Sequence, residues 1–142
     1  MLSPHFSLEE LTRSEMAVRK GIDNSPSQSV KNNLITLATN LELVRNLLSG
    51  PLHISSGYRC VALNKAIGGA HDSAHIDGYA ADFTCSEFGT PKDIVKAINK
   101  STIKVDQCIE EGTWVHISFA PPLRNQYLKA IFVNGIAHYT PY

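Results

Sequence analysis

The sequence has no excess of charge of either sign. Its 142 residues contain 13 Lys and Arg and 13 Asp and Glu, so the formal net charge is zero. Nucleic-acid-binding domains hold the phosphate backbone through clustered Lys and Arg, and no such cluster is present. We therefore expect no nucleic-acid partner. Any ligand has to be recognised by a local site rather than by the field of the whole chain.

Long apolar runs and a secretion signal are also lacking. No segment approaches the roughly 20 apolar residues that a membrane-spanning helix needs. The first residues, MLSPHFSLEELTRSE, contain no basic stretch followed by an apolar one, as a secretory signal would. The sequence therefore predicts a protein made in a cytoplasm without a membrane anchor. The length predicts a single domain over residues 1–142, and we expect a monomer.

Cysteine is scarce, and its spacing carries no metal motif. Cys60, Cys85 and Cys108 form an odd set without a CxxC pair, which predicts reduced thiols in or near the core. A zinc–thiolate site is therefore not expected. The HExxH helix is absent as well, which excludes a metal site of the thermolysin type.

Helices are indicated by apolar periodicity and capping residues. Ser7 with Glu10 has capping-box spacing, and Thr90 followed by Pro91 is a typical helix start before DIVKAINK. CVALNKAIGG predicts a short helix closed by its glycines. The longest helix is predicted in SPSQSVKNNLITLATNLELVRNLLSG, closed by the glycine and proline that follow. Its apolar residues recur every three or four positions, at Val30, Leu34, Leu37, Leu41, Val44 and Leu48.

Strands are indicated by short, bounded apolar segments. They are LHISS, YAADFTC, VDQCIEE, TWVHISF and the two halves of AIFVNGIAHY. Asn134-Gly135 in the last segment predicts a type I′ hairpin turn. The order of elements predicts an α+β fold, in which N-terminal helices pack on one side of a mostly antiparallel sheet.

Three side chains with metal-binding chemistry lie near these strands. His75 and Asp82 are seven residues apart, and Gly78 between them allows a sharp change of direction. Asp82 belongs to an apolar strand and needs a partner there, because burying an unpaired carboxylate costs several kcal/mol. Alternation in TWVHISF puts His116 on the face opposite Val115. Separated His, Asp and His ligands are typical of catalytic zinc. The alternatives are that Asp82 pairs with Arg59 or caps a turn, and that His116 is only hydrogen-bonded.

The motifs in combination resemble the zinc D-alanyl-D-alanine carboxypeptidase family, especially its small phage and prophage peptidase domains. The matching runs are SSGYRC, ALNKAIGGAHDSAHIDGYAADF and DQCIEEGTWVHISF, and FSLEELTRSE and GIDNSPS are similar too. The family pattern Ser-x-His-x-x-Gly-x-Ala-x-Asp falls on Ser73, His75, Gly78, Ala80 and Asp82, and Trp-x-His falls on Trp114 and His116.

The resemblance implies a Zn²⁺ ion held by His75, Asp82 and His116, in a cleft of the hedgehog and D,D-peptidase type. It implies that Arg59 binds a substrate carbonyl or carboxylate and stabilises the oxyanion. Ser73 is expected near the substrate, while Trp114 either lines the cleft or belongs to the core.

The catalytic base departs from the pattern. Several family members place a glutamate three residues before the last histidine, where this chain has Thr113. Small phage-type members place it slightly earlier, which favours Glu111 and leaves Glu110 as the alternative. Both glutamates can also be read as solvated turn residues.

The resemblance implies hydrolysis of amide bonds in bacterial peptidoglycan peptides that contain D-amino acids, by carboxypeptidase or endopeptidase action. A phage or prophage lytic enzyme without a secretion signal would reach the wall through a holin or as part of a virion. Two alternatives remain open. One is a zinc-containing module that binds wall peptides or serves a phage particle without turnover, and the other is a purely structural zinc with a fourth protein ligand such as His71 or a cysteine.

Overall fold

The computed structural model describes residues 1–142, which form five helices and six strands. The helices are α1 (Leu8–Thr12), α2 (Glu15–Lys20), α3 (Gln28–Leu48), α4 (Val61–Ala66) and α5 (Pro91–Lys100). The strands are β1 (His53–Ser56), β2 (Ala80–Thr84), β3 (Gln107–Glu110), β4 (Val115–Ser118), β5 (Gln126–Val133) and β6 (Ile136–Pro141). The predicted α+β class is confirmed.

The six strands form one sheet in the order β1-β2-β4-β3-β5-β6. Four of the five neighbouring pairs are antiparallel, and β3 with β5 is parallel. The sheet is therefore mixed, and the prediction of a mostly antiparallel sheet holds except at this one pair. The parallel pair arises because the loop after β4 returns the chain to the far side of β3.

The hydrophobic core lies between one face of the sheet and helices α1, α3 and α5. Helix α3 contributes a continuous buried stripe, as its periodicity predicts: Leu34, Leu37, Ala38, Leu41, Val44 and Leu48. Strands β2 and β4 contribute alternate residues to the same core: Ala81, Phe83, Val115 and Ile117. Because side chains alternate along a strand, the residues between these core positions face the opposite side of the sheet.

Capping residues define most helix ends. Ser7 accepts a hydrogen bond from the Glu10 backbone N–H, and Thr90 with Asp93 forms a full capping box after which Pro91 begins α5. Helix α3 ends at Ser49, which adopts the left-handed conformation with φ 53°, rather than at the glycine that follows. Helix α2, which the apolar pattern did not indicate, is short and is capped by its own flanking serine and glycine.

The C-terminal hairpin has the predicted turn. Asn134 and Gly135 have φ values of 52° and 77°, as a type I′ turn requires at both central positions. The cysteines are free thiols; Cys85 and Cys108 are buried and Cys60 is partly buried. None of the helices combines the length and the apolarity that a bilayer crossing requires.

Candidate metal centre and catalytic cleft

His75, Asp82 and His116 meet on the sheet face opposite the helices. Asp82 of β2 lies directly across from His116 of β4 in the strand register. The Asp82 Oδ1 atom is 3.0 Å from His116 Nδ1 and 3.2 Å from His75 Nε2. One ligand atom from each of the three side chains lies within 4.8 Å of the others. The strand pairing therefore aligns two of the donors, and the loop before β2 supplies the third.

The loop that carries His75 is held in place by two glycines. Gly78 has φ +80°, and a Cβ there would lie 2.9 Å from Val30 Cγ1, so the turn fits closely against α3. Gly57 follows β1, and its carbonyl oxygen lies 2.7 Å from His75 Nδ1. The His75 ring is almost completely buried, with 2% of its surface exposed. Its orientation is therefore fixed before any ligand arrives.

The donor set fits a divalent cation. Because the Gly57 carbonyl can only accept, the hydrogen bond puts the proton on His75 Nδ1 and leaves a lone pair on Nε2. That lone pair faces Asp82 Oδ1, so two acceptors oppose each other at 3.2 Å. A cation between them removes the repulsion. Zinc bonds of about 2.0–2.1 Å in tetrahedral geometry separate neighbouring ligand atoms by about 3.3 Å, close to the spacing of these donors.

Burial and neighbouring groups favour the protonation states that bind metal. Burial lowers the pKa of His75, and only part of this effect is offset by Asp82. Burial would raise the pKa of Asp82, but the adjacent His116 and His75 rings outweigh that effect and leave the pKa well below its usual range. A neutral imidazole and an ionised carboxylate are the forms that coordinate zinc.

Other partners for this cluster are absent. The Asp82 Oδ1 atom lies within 3.2 Å of both histidine rings, and no ion pair joins Asp82 to Arg59, although the alternative pairing required one. No fourth His, Cys, Asp or Glu joins the group, and His71 is exposed elsewhere on the loop. An arrangement with three protein donors leaves a coordination position open, as in catalytic rather than structural zinc sites.

Arg59 and Ser73 lie beside the donors. The Arg59 Nη2 atom is 3.4 Å from Ser73 Oγ, and the same oxygen accepts from the His75 backbone N–H at 3.2 Å. The Arg59 Nε–H is buried and has no hydrogen-bond partner. Burial lowers the pKa of the guanidinium, and Asp82 opposes that shift. Arg59 therefore carries donor capacity that the protein itself does not use.

The two candidate glutamates lie on opposite faces of the sheet. Glu111 lines the cleft together with Asp82 and His116. Glu110 faces the other side, where Tyr142 donates to it and Lys129 lies 3.9 Å away. Burial raises the pKa of Glu111. His116 partly offsets this rise, Asp82 adds to it, and a hydrogen bond from the Tyr139 hydroxyl again lowers the pKa. Of the two, Glu111 is the one whose side chain lines the cleft.

The cleft has a volume of about 690 Å³, and its lining includes the three donors together with residues around them. Trp114 is half-buried and forms part of the cleft wall. Of the two expected positions for Trp114, the cleft lining and the core, the structure shows the first. Tyr139 of β6 also lines it and lies 3.3 Å, through its hydroxyl, from Glu111 Oε1. At one end Asp106 is held by Arg124, with Nε at 2.7 Å from Oδ1.

The sequence reasoning missed Tyr139, Asp106 and Arg124. Arg124 and Tyr139 lie after DQCIEEGTWVHISF, the last run that resembles the family. No local sequence pattern connects either residue to that run. A register prediction for β3, β5 and β6 would have been needed to find Tyr139. Asp106 directly precedes β3 and carried a weak signal, since a carboxylate beside an apolar strand needs a partner.

Comparison with known proteins agrees with this chemistry. A search of curated proteins returned no match. A family model described as peptidase M15 matches residues 4–118. That span contains all three metal-site donors, Arg59 and Glu111, and it ends at the last residue of β4. The chain thus belongs to the peptidase M15 family, the zinc metallopeptidases of the D-alanyl-D-alanine carboxypeptidase type.

Proposed function

We propose that this protein is a zinc-dependent peptidase that hydrolyses amide bonds in peptidoglycan stem peptides or crosslinks. Family membership indicates a zinc metallopeptidase acting on peptidoglycan-type substrates. The observation that carries the proposal is that one open cleft contains both the three donors and Glu111. A metal site and a proton acceptor in one cleft are what metal-assisted hydrolysis requires.

His75, Asp82 and His116 would hold the zinc ion through Nε2, a carboxylate oxygen and Nδ1. When bound there, zinc supplies two effects: it lowers the pKa of a coordinated water and polarises the scissile carbonyl. The Gly57 carbonyl contributes indirectly, because it fixes the His75 tautomer and directs Nε2 toward the other donors.

Glu111 is proposed as the general base. Its carboxylate takes a proton from the attacking water and then delivers it to the leaving amine, so that the proton count balances over the cycle. Burial raises the pKa of Glu111, and a shift in this direction suits the task because it brings the pKa of a carboxylate base closer to the working pH. The position of Glu110 on the opposite face of the sheet, where Tyr142 donates to it, supports Glu111 over Glu110 in this role.

Arg59 is proposed to bind the substrate oxygen that becomes negative. Its unpartnered Nε–H and its remaining guanidinium donors form a rigid fork that suits a carbonyl or carboxylate. Preorganised donors of this kind stabilise the oxyanion of a tetrahedral intermediate. The Ser73 Oγ atom accepts hydrogen bonds from both the Arg59 guanidinium and the His75 backbone N–H, and so links the two residues. Trp114 provides an apolar wall for the peptide.

The resemblance of the motifs to small phage and prophage peptidases supports a lytic enzyme of that origin, made in the host and acting at the wall or within a virion. It also supports cleavage next to D-amino acids. The masses of the released peptidoglycan fragments identify the bond that is cut, and therefore distinguish carboxypeptidase from endopeptidase action. A wall-peptide-binding module without turnover is the competing outcome.

The test is mass spectrometry of muropeptides after incubation of purified peptidoglycan with the protein, with and without a zinc chelator. We expect fragments of defined mass that the chelator abolishes. Glu111→Gln should lower turnover by about 10²–10⁴-fold while zinc stays bound, and the matched control Glu110→Gln should not. A folded, zinc-loaded protein that releases no fragment from walls of several chemotypes would reject the peptidase and leave the binding module.

A further inference from the structure

We propose that Tyr139 of the C-terminal hairpin is a positioning residue for Glu111, and that β5 and β6 thereby complete the catalytic cleft. This inference rests on the proposed function of Glu111. The Tyr139 hydroxyl donates toward both carboxylate oxygens, at 3.3 Å from Oε1 and 3.5 Å from Oε2. Tyr139 lies outside the residues that match the family model, so the match assigns it nothing.

The strand register explains how Tyr139 reaches Glu111. Glu110 pairs with Lys129 across the parallel β3–β5 ladder, so the next position, Glu111, lies beside Ala130. Ala130 in turn pairs with Tyr139 across β5–β6. Glu111, Ala130 and Tyr139 therefore form one row on the cleft face. The short side chain of Ala130 leaves room for the tyrosine ring to cross the row, and Ala130 is itself buried.

Glu111 otherwise has few constraints on its carboxylate. It follows the last residue of β3, and its backbone N–H donates to the Trp114 carbonyl at 3.0 Å, which fixes the main chain of the turn. The charged groups that face its side chain are His116 on β4 and Asp82 on β2. The only hydrogen bond to the carboxylate comes from Tyr139. The hydroxyl is thus the one donor that restrains the orientation of this carboxylate.

The chain provides a matched control for a test. Tyr142 also donates its hydroxyl to a glutamate, but to the preceding residue, Glu110, on the other face of the sheet. Tyr139→Phe and Tyr142→Phe therefore each delete one hydroxyl–carboxylate hydrogen bond and keep the ring. Only the first deletion touches the cleft.

The first arm of the experiment is independent of turnover. In the purified full-length protein labelled with ¹³C-glutamate, the Glu111 side-chain carboxyl resonance is assigned with Glu111→Gln and titrated by NMR. We expect Tyr139→Phe to raise the pKa of Glu111, because a hydrogen-bond donor to the ionised form is lost, and Tyr142→Phe to leave it unchanged. If Tyr139→Phe leaves the resonance and its titration as in the wild type, the inference is wrong even for an inactive protein.

The second arm measures kcat and KM on the muropeptide cleaved by the wild type. Tyr139→Phe should lower kcat about ten-fold, the size expected for one hydrogen bond to a charged group, with KM within two-fold. In a Glu111→Gln background the same change should cause no further loss. Equal losses in both backgrounds, or an equal effect of Tyr142→Phe, would overturn the positioning role. Absence of turnover in the wild type would instead reject the proposed function. The NMR titration of the first arm would still show whether Tyr139 hydrogen-bonds Glu111.

Discussion

Gly57→Ala tests whether the backbone that orients His75 is as tightly fitted as the structure indicates. A Cβ at this position would lie 2.2 Å from the Leu11 carbonyl oxygen and 2.9 and 3.0 Å from the carbonyl carbon and Cα. These are backbone atoms, which cannot rotate away. The contact must open by about 0.8 Å before it reaches the shortest separation that Cβ atoms tolerate. Either β1 or the end of α1 therefore has to move.

Two hydrogen bonds depend on that segment. The Tyr58 N–H donates to the Leu11 carbonyl at 2.7 Å, and the Gly57 carbonyl accepts from His75 at 2.7 Å. Overpacking costs about 1–3 kcal/mol, and a weakened hydrogen bond adds about 1 kcal/mol. We expect the free energy of unfolding to fall by about 2–4 kcal/mol, which lowers Tm by about 6–12 °C for a chain of this size.

The same movement should weaken the metal site. Loss of the group that orients a ligating histidine typically costs 10–100-fold in metal affinity, and we expect a decrease within that range for zinc. Thermal unfolding in chelator measures stability, and competition with a zinc indicator dye measures affinity. Gly50→Ala is the control, since its Cβ would meet only side-chain atoms, the nearest being Glu87 Oε2 at 3.1 Å. A Gly57→Ala protein with wild-type Tm and wild-type zinc affinity would refute the reasoning.

Three further predictions concern charged groups. Asp82→Asn should lower zinc affinity by at least about 100-fold, since an ionised ligand becomes neutral; equilibrium dialysis that finds full zinc occupancy at micromolar metal would contradict this. The metal-free protein should lose stability in urea as pH falls from about 7 to 5, because folded His75 has a lowered pKa and binds fewer protons than the unfolded chain. The loss should continue below about pH 4, where unfolded carboxylates protonate and folded Asp82 does not; a flat profile would be inconsistent with both. Arg124→Ala should raise the pKa of Asp106, because the buried carboxylate loses the guanidinium that is its main partner in the wild type. The free energy of unfolding should fall by about 1 kcal/mol, since Arg124 is half-exposed. An unchanged NMR titration of Asp106 would argue against this prediction.

Local signals were sufficient for most secondary structure. The apolar period of α3, the capping box at Thr90 and the Asn134-Gly135 turn act within a few residues, so they can be read directly from the sequence. The parallel pairing of β3 with β5 has no such signal, because it depends on where the chain returns after β4. Helix α2 is too short for periodicity to stand out, and its stability comes from its caps.

The candidate site divides in the same way. His75, Asp82 and His116 lie in recognisable motifs, and the resemblance of those motifs to the family pattern predicts that the three side chains converge. The choice between Glu110 and Glu111 needed strand orientation: Cys108 and Glu110 face one side, and Ile109 and Glu111 face the other. Tyr139 depended on two strand registers at once, neither of which a single sequence fixes.

The pairing of β2 with β4 has a consequence for how this protein tolerates mutation. One register both buries Phe83 with Ile117 in the core and places Asp82 opposite His116. A slip of one residue would turn the apolar side chains to solvent and separate the two donors in the same step. Selection for a chain that merely folds therefore also preserves the alignment of these donors.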